Sequence, residues 1–233
     1  MKYKIGKDDK RMKTVKIILL MITAMFIFVA CGTKNESGVG SKSEENTTTP
    51  TTQPTEEATN TAAPVELLTG KHNIEIVIKD FGTIKCELDA DAAPITVTNF
   101  ISLVKSGFYD GLTFHRIMEG FMMQGGDPLG TGFGGADQTI KGEFANNGVE
   151  NTLSHTKGAL SMARSTDPNS ASSQFFIVHS GATFLDGDYA VFGYVTEGMD
   201  VVDKVCTSVP AVDDNGTVTK ENQPIITSIK VIE

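Results

Sequence analysis

Phe114-His115-Arg116-Ile117-Met118-Glu119-Gly120-Phe121-Met122-Met123-Gln124-Gly125-Gly126-Asp127 places one fixed cation, two aromatics, a methionine pair and one neutral amide close together, then ends in a glycine turn. An arginine among apolar groups is costly to desolvate without a use for it. The stretch carries no nucleophile and no metal-ligand spacing. Its chemistry is that of gripping and polarising a neutral substrate. In an extended strand, residues two apart share a face, so Met122 and Gln124 point together. The same rule turns His115 away from Arg116 and marks it as a structural histidine rather than a general base.

Two further stretches extend this chemistry. In Ser172-Ser173-Gln174-Phe175-Phe176-Ile177-Val178, alternation pairs Gln174 with Phe176 on one face. Each such pair joins an apolar surface to a neutral amide, which suits a peptide: the amides bond its backbone and the apolar groups receive a ring. Phe184-Leu185-Asp186-Gly187-Asp188-Tyr189-Ala190-Val191-Phe192-Gly193 adds apolar surface.

Around these stretches the pattern is one of short strands. Asn73–Ile78 and Thr83–Leu88 alternate and are joined by Asp80-Phe81-Gly82, which predicts a hairpin. Pro94 opens a helix with an apolar stripe at Val97, Phe100, Ile101 and Val104, stopped by Gly107. Strands follow at Thr113–Ile117, Met122–Gln124, Ala159–Ala163, Gln174–Val178 and Val191–Val195. A second helix is expected over Met199–Cys206 and a closing strand over Ile225–Ile232. Many short strands with two helices imply a mainly β fold: closed, antiparallel and helix-capped.

Several motifs point away from other functions. Gly130, Gly132 and Gly135 match G-x-G-x-x-G literally, but Ala136–Glu143 carries no helical stripe to receive a pyrophosphate. The reading is a flexible loop beside the substrate groove. No G-x-S-x-G nucleophile elbow occurs. His72, His155 and His179 are scattered without metal-ligand spacing, so no metal is expected. The net charge of −9 and pI of about 5.0 argue against nucleic acid as a partner.

The chain has 233 residues, of which the first third is not expected to fold. Residues 1–30 read as a secretory signal, with Met12 as a candidate start, Lys13 and Lys16 ahead of the apolar run Ile17–Ala30, and Cys31 after it. About fourteen apolar residues is short for a membrane span, which needs about twenty. Cys31 directly after Phe28-Val29-Ala30 looks like a bacterial lipobox, with lipid attachment at Cys31, although Phe28 stands where leucine is usual. An uncleaved signal anchor, or a signal peptide followed by a chance cysteine, is the alternative. Residues 31–70, rich in Thr, Ser, Asn, Pro and Glu, read as a disordered tether holding a domain, 71–233, off a membrane, with a glycosylated stalk as the alternative. This places the protein on the extracytoplasmic face of a bacterial cell membrane. Cys86 alternates with Ile84 and Leu88 and faces a core. With Cys206 it forms either a disulfide or, by default, two isolated thiols.

These three stretches in this order, with Gly158-Ala159-Leu160-Ser161-Met162-Ala163 and the Asp167-Pro168-Asn169 turn, closely resemble the cyclophilin family of peptidyl-prolyl cis-trans isomerases. The resemblance runs from about Asn73 to Glu233. It implies an eight-stranded β-barrel, capped by the two helices, that acts on proline-containing polypeptides without a cofactor, as a monomer. It places the family's catalytic arginine on Arg116, with Phe121 and Gln124 as catalytic partners. Substrate-binding positions fall on Met122, Ala163, Gln174, Phe176, Phe184, Leu185 and Tyr189. Phe184 stands where the best-known eukaryotic pattern has tryptophan, and Tyr189 where it has histidine. Both look like the bacterial branch, and the missing indole N–H implies weak cyclosporin binding.

The chemistry implied is rotation about a partial double bond with a barrier of about 18–20 kcal/mol. The twisted amide has lost conjugation, so its prolyl nitrogen becomes a better acceptor. A guanidinium aimed there, or at the preceding carbonyl, favours the twist over the planar ground state. Two rival readings are a proline-peptide holding module without turnover, and a surface solute binder or adhesin. The last is disfavoured because solute binders usually need a larger, two-lobed domain.

Overall fold

The computed structural model describes residues 66–232. The expected signal segment, the Cys31 lipid site and residues 31–65 of the expected tether lie outside them. The compact unit runs from Val65 to Glu233. Leu68 donates its N–H to Thr98 Oγ1 at 2.9 Å and packs on the core. The Gly70 amide donates to Asp91 Oδ1 at 2.7 Å.

The elements are β1 (Lys71–Ile78), β2 (Gly82–Asp89), α1 (Pro94–Lys105), β3 (Thr113–Met118), β4 (Met122–Asp127), β5 (Ala159–Met162), β6 (Phe175–Val178), β7 (Val191–Glu197), α2 (Met199–Ser208) and β8 (Ile226–Ile232). The expected hairpin forms from β1 and β2, with Asp80 taking φ +65° in its turn. The eight strands make one antiparallel sheet in the order β3-β4-β6-β5-β7-β2-β1-β8, curled into a half-barrel. Its two edges approach each other: Thr113 and Ile225 form an isolated bridge, and the Phe114 amide donates to Pro224 O at 3.0 Å. A continuous β3–β8 ladder is absent among the described residues.

The curl encloses the main core. Ile74, Ile76, Ile84, Cys86 and Leu88 supply the hairpin's inner face, as their alternation requires. Helix α1 lays Val97, Phe100, Ile101 and Val104 against it. Rings from three elements and the turn after α1 meet there: Phe100 lies 4.9 Å from Tyr109, 5.3 Å from Phe175 and 5.1 Å from Phe192. Helix α1 has Pro94 in its first turn but no capping side chain of its own. The buried Glu143 carboxylate serves instead, accepting from the amides of Ile95 and Thr96 at 3.0 and 2.8 Å and from Thr96 Oγ1 at 2.7 Å.

A second, smaller apolar cluster lies on the outer face of the same sheet. It joins Met122, Ala159, Phe176, Val178, Ala182, Leu185 and Val191, with Phe121, Ala163 and Tyr189 packed at its margin. The Phe175-Phe176 pair therefore straddles the sheet, Phe175 in the main core and Phe176 in the outer cluster. Cys86 and Cys206, the two cysteines among the described residues, are buried free thiols, the default expectation.

Candidate active site

Simple alternation would put Phe114 and Arg116 on one face, yet Phe114 is fully buried and Arg116 is half-buried at the outer cluster. The register explains this. Phe114 pairs with Gly125 while Arg116 pairs with the adjacent Gln124, so His115 is an extra residue in a β-bulge. A bulge of this kind re-aims the following side chain. A second shift, between Thr113 and Phe114, uses Gly126 at φ +82°. A Cβ there would collide with the Ser173 carbonyl, so only glycine fits.

Once turned outward, the guanidinium is tightly held. Its Nε donates to the Asn215 carbonyl at 2.7 Å and its Nη2 to Asn215 Oδ1 at 3.3 Å. Its Nη1 donates to Gln124 Oε1 at 3.3 Å. Its carbon lies 5.9 Å from the Phe121 ring centre. Burial pulls its pKa below the ordinary arginine value, while nearby Tyr189 and Asp213 pull the other way; the group remains a cation. Asn215 sits in a turn built by the Asp213 carboxylate, which accepts from the amides of Asn215 and Thr217 at 3.0 Å each. Those bonds hold Asp213 below its usual pKa.

The amides form a line from this arginine. Gln124 Nε2 donates to Gln174 Oε1 at 2.9 Å, and Gln174 Nε2 donates to the carbonyls of Gly132 and Gly134 at 3.0 and 2.7 Å. This fixes the sense of both side chains and leaves Gln124 one N–H and one lone pair for a ligand. The glycine stretch is a loop, and no helix forms over residues 136–143 that follow it. Asp127 cinches it, accepting from the amides of Leu129, Thr131 and Gly132 at 2.8, 2.9 and 2.6 Å. Burial opposes ionisation of Asp127, but these bonds outweigh it and hold its pKa below the ordinary value.

The apolar floor lies next to the arginine. Met122, Phe176 and Leu185 are buried, and the Phe121 ring lies tilted against that of Phe184 at 5.6 Å. Tyr189 stands edge-on to Phe176 at 6.2 Å. Ala163 follows the end of β5 and donates its N–H to the Gln174 carbonyl at 3.0 Å. Arg116, Phe121, Met122, Gln124, Ala163, Gln174, Phe176, Phe184, Leu185 and Tyr189 are thereby brought to one face.

Two groups had no sequence signal as parts of this site: His155, buried beneath it, and Asn215, exposed at its rim. His155 stacks on Phe176 at 5.9 Å. Its Nδ1 is 2.7 Å from Asp186 Oδ1 and its Nε2 is 3.0 Å from Ser161 Oγ. The set copies a serine–histidine–aspartate relay, but Ser161 is fully buried, so it is a brace and not a nucleophile. Through Asp186 it pins the loop that carries Phe184, Leu185 and Tyr189. Burial holds His155 below the ordinary histidine pKa despite the pull of Asp186. Asn215 went unread because it is far from Arg116 in sequence and only the fold joins them. His115 is buried as expected, and neither ring nitrogen has a hydrogen-bond partner. No group of three or more metal-ligating side chains occurs among the described residues.

The family model described as cyclophilin type peptidyl-prolyl cis-trans isomerase/CLD matches residues 73–231. The chain belongs to this family, and its enzyme class is peptidyl-prolyl cis-trans isomerase. Peptidyl-prolyl cis-trans isomerase B of Bacillus subtilis (strain 168) is 45% identical over 145 residues, covering 62% of this chain and 92% of that one. A Helicobacter pylori peptidyl-prolyl cis-trans isomerase is 44% identical over 126 residues, covering 53% and 74%. A Cryptosporidium parvum cyclophilin type isomerase, solved in the presence of the dipeptide Ala-Pro, superposes with a TM-score of 0.61 at 31% identity, covering 69% of this chain and 99% of that one.

Proposed function

We propose that this protein accelerates X-Pro bond rotation in exported or surface polypeptides and so assists their folding outside the cytoplasm. One observation carries the catalytic part: the His115 bulge sets Arg116 at the rim of an apolar pocket, beside Phe121 and Gln124. The pocket of Met122, Phe176 and Leu185 holds the prolyl ring. Gln124, Gln174 and the backbone of Ala163 hold the peptide. Arg116 donates to the prolyl nitrogen or the preceding carbonyl as the amide twists, an interaction stronger in the transition state than in the planar ground state. No covalent bond forms. In this reading the Thr113–Ile225 bridge is the seam of a closed barrel, the domain works as a monomer, and Phe184 and Tyr189 leave cyclosporin binding weak.

The location rests on residues 1–70 alone: signal, lipidated Cys31 and tether. Mass spectrometry of the mature N-terminus tests it, with a diacylated Cys31 expected and an internal, unmodified Cys31 contradicting it. For the site, an NMR titration with an Ala-Pro peptide is expected to shift resonances of Met122, Gln124, Ala163, Gln174 and Phe176. Shifts confined to another face would overturn the assignment.

A further inference from the structure

The chain contains three arginines, and the two within the described residues, Arg116 and Arg164, both border the outer apolar pocket. Arg164 follows Ala163 and lies over the Tyr189 and Phe144 rings, the first of them at the margin of the outer cluster. Its guanidinium carbon lies 4.6 Å from the Tyr189 ring centre and 5.1 Å from that of Phe144. Its Nε donates to the Asp188 carbonyl at 2.9 Å and its Nη1 to the Ser165 carbonyl at 2.8 Å. Two rings and two carbonyls therefore fix it in place at little further entropic cost.

Its charge, however, is left open. Among the described residues the ion pairs use lysines and histidines, and none involves Arg164. Both its bonded acceptors are neutral carbonyls, so Nη2 and one N–H of Nη1 remain uncommitted. In a protein of net charge −9, a prepositioned, unpaired guanidinium beside a peptide groove is a local reversal of sign. Fields in a groove act on the charge of what enters it.

We propose that Arg164 is a specificity-determining residue that selects prolyl peptides with a carboxylate side chain flanking the proline and disfavours those with a cation there. This rests on the isomerase reading of the same groove. Arg164 does not touch the reacting amide; it sets which polypeptides are held there. Tyr189 couples the two functions, since the ring that carries the guanidinium also faces Phe176.

The test is isomerisation, by NMR exchange, of short peptides with Glu, Ala or Lys on either side of proline, for the parent, Arg164→Gln and Arg164→Lys. The parent is expected to turn over the Glu peptide about threefold to tenfold faster, in kcat/KM, than the Lys peptide on at least one side, as one partly exposed charge supplies. Raised salt should shrink that ratio. Arg164→Gln should bring it to about one, and Arg164→Lys should keep part of it. Because the readout is a ratio, a general loss of rate in a variant does not affect it. A parent ratio near one, or a ratio unchanged in Arg164→Gln, overturns the proposal. No acceleration of the Ala peptide by the parent overturns the isomerase reading itself.

Discussion

Arg116 owes its place to a residue that does no chemistry. His115 is the extra residue that turns the guanidinium out of the sheet, and it remains buried with both ring nitrogens unpaired. Desolvation holds the pKa values of His115 and His155 below the ordinary histidine value. The unfolded chain therefore binds protons that the native state refuses as pH falls through about 6.5. Their stability contribution is full above that pH and declines below it. The urea midpoint is expected to drop between pH 7 and pH 5, and His115→Phe to flatten that slope; an unchanged slope in the variant would contradict this origin. Gln124→Leu, which removes the link between Arg116 and Gln174, should cost about tenfold in kcat/KM, or ~1.4 kcal/mol. Activity at the parental level in a folded variant would remove Gln124 from the machinery. Residue identities were legible because Arg116, Gln124, Gln174 and Phe176 occur in an ordered series of stretches. The direction of Arg116 was not, since strict alternation predicts the wrong neighbour for Phe114.

Among the elements, alternation and helical stripes located each strand and helix to within a few residues. The expected strands at Ala159–Ala163 and Gln174–Val178 each stop one residue short, and the excluded residues, Ala163 and Gln174, face each other through a backbone bond at the groove. Strand order was not readable locally, because it depends on pairings such as β2 with β7 that join distant residues. The turn that grips Arg116 shows the same limit: Asp213–Thr217 is far from β3 in sequence, and only the fold lays it there. Gly216 in that turn has φ +84°, and a Cβ would strike Met118 and the Ile117 carbonyl. Gly216→Ala should therefore cost about 1–3 kcal/mol of stability and displace Asn215 from Arg116. Both the thermal midpoint and kcat/KM should fall; parental values of both would show that the turn is not a clamp.

For the molecule as a whole, one sheet with a core on each face separates stability from function. The inner face holds the aromatic cluster around Phe100, while the outer face holds a smaller cluster that doubles as a ligand pocket. The cysteines belong to the stable part. Burial raises the Cys86 pKa far above the ordinary thiol value and pushes Cys206 up to about 12, with Asp203 and Glu119 adding to the latter. Neither thiol should react with a disulfide reagent in the native unit from Val65 to Glu233, and both should react once it is unfolded. Fast native labelling, or fewer than two thiols on unfolding, would contradict the burial or the free state. The central claim is that Arg116 accelerates rotation rather than merely holding a peptide. NMR exchange of an Ala-Pro peptide with the Val65–Glu233 unit and its Arg116→Ala variant tests it most directly. The account predicts fast exchange that falls about a hundredfold or more in the folded variant, while the peptide still binds. Exchange as fast in the variant as in the parent would contradict it.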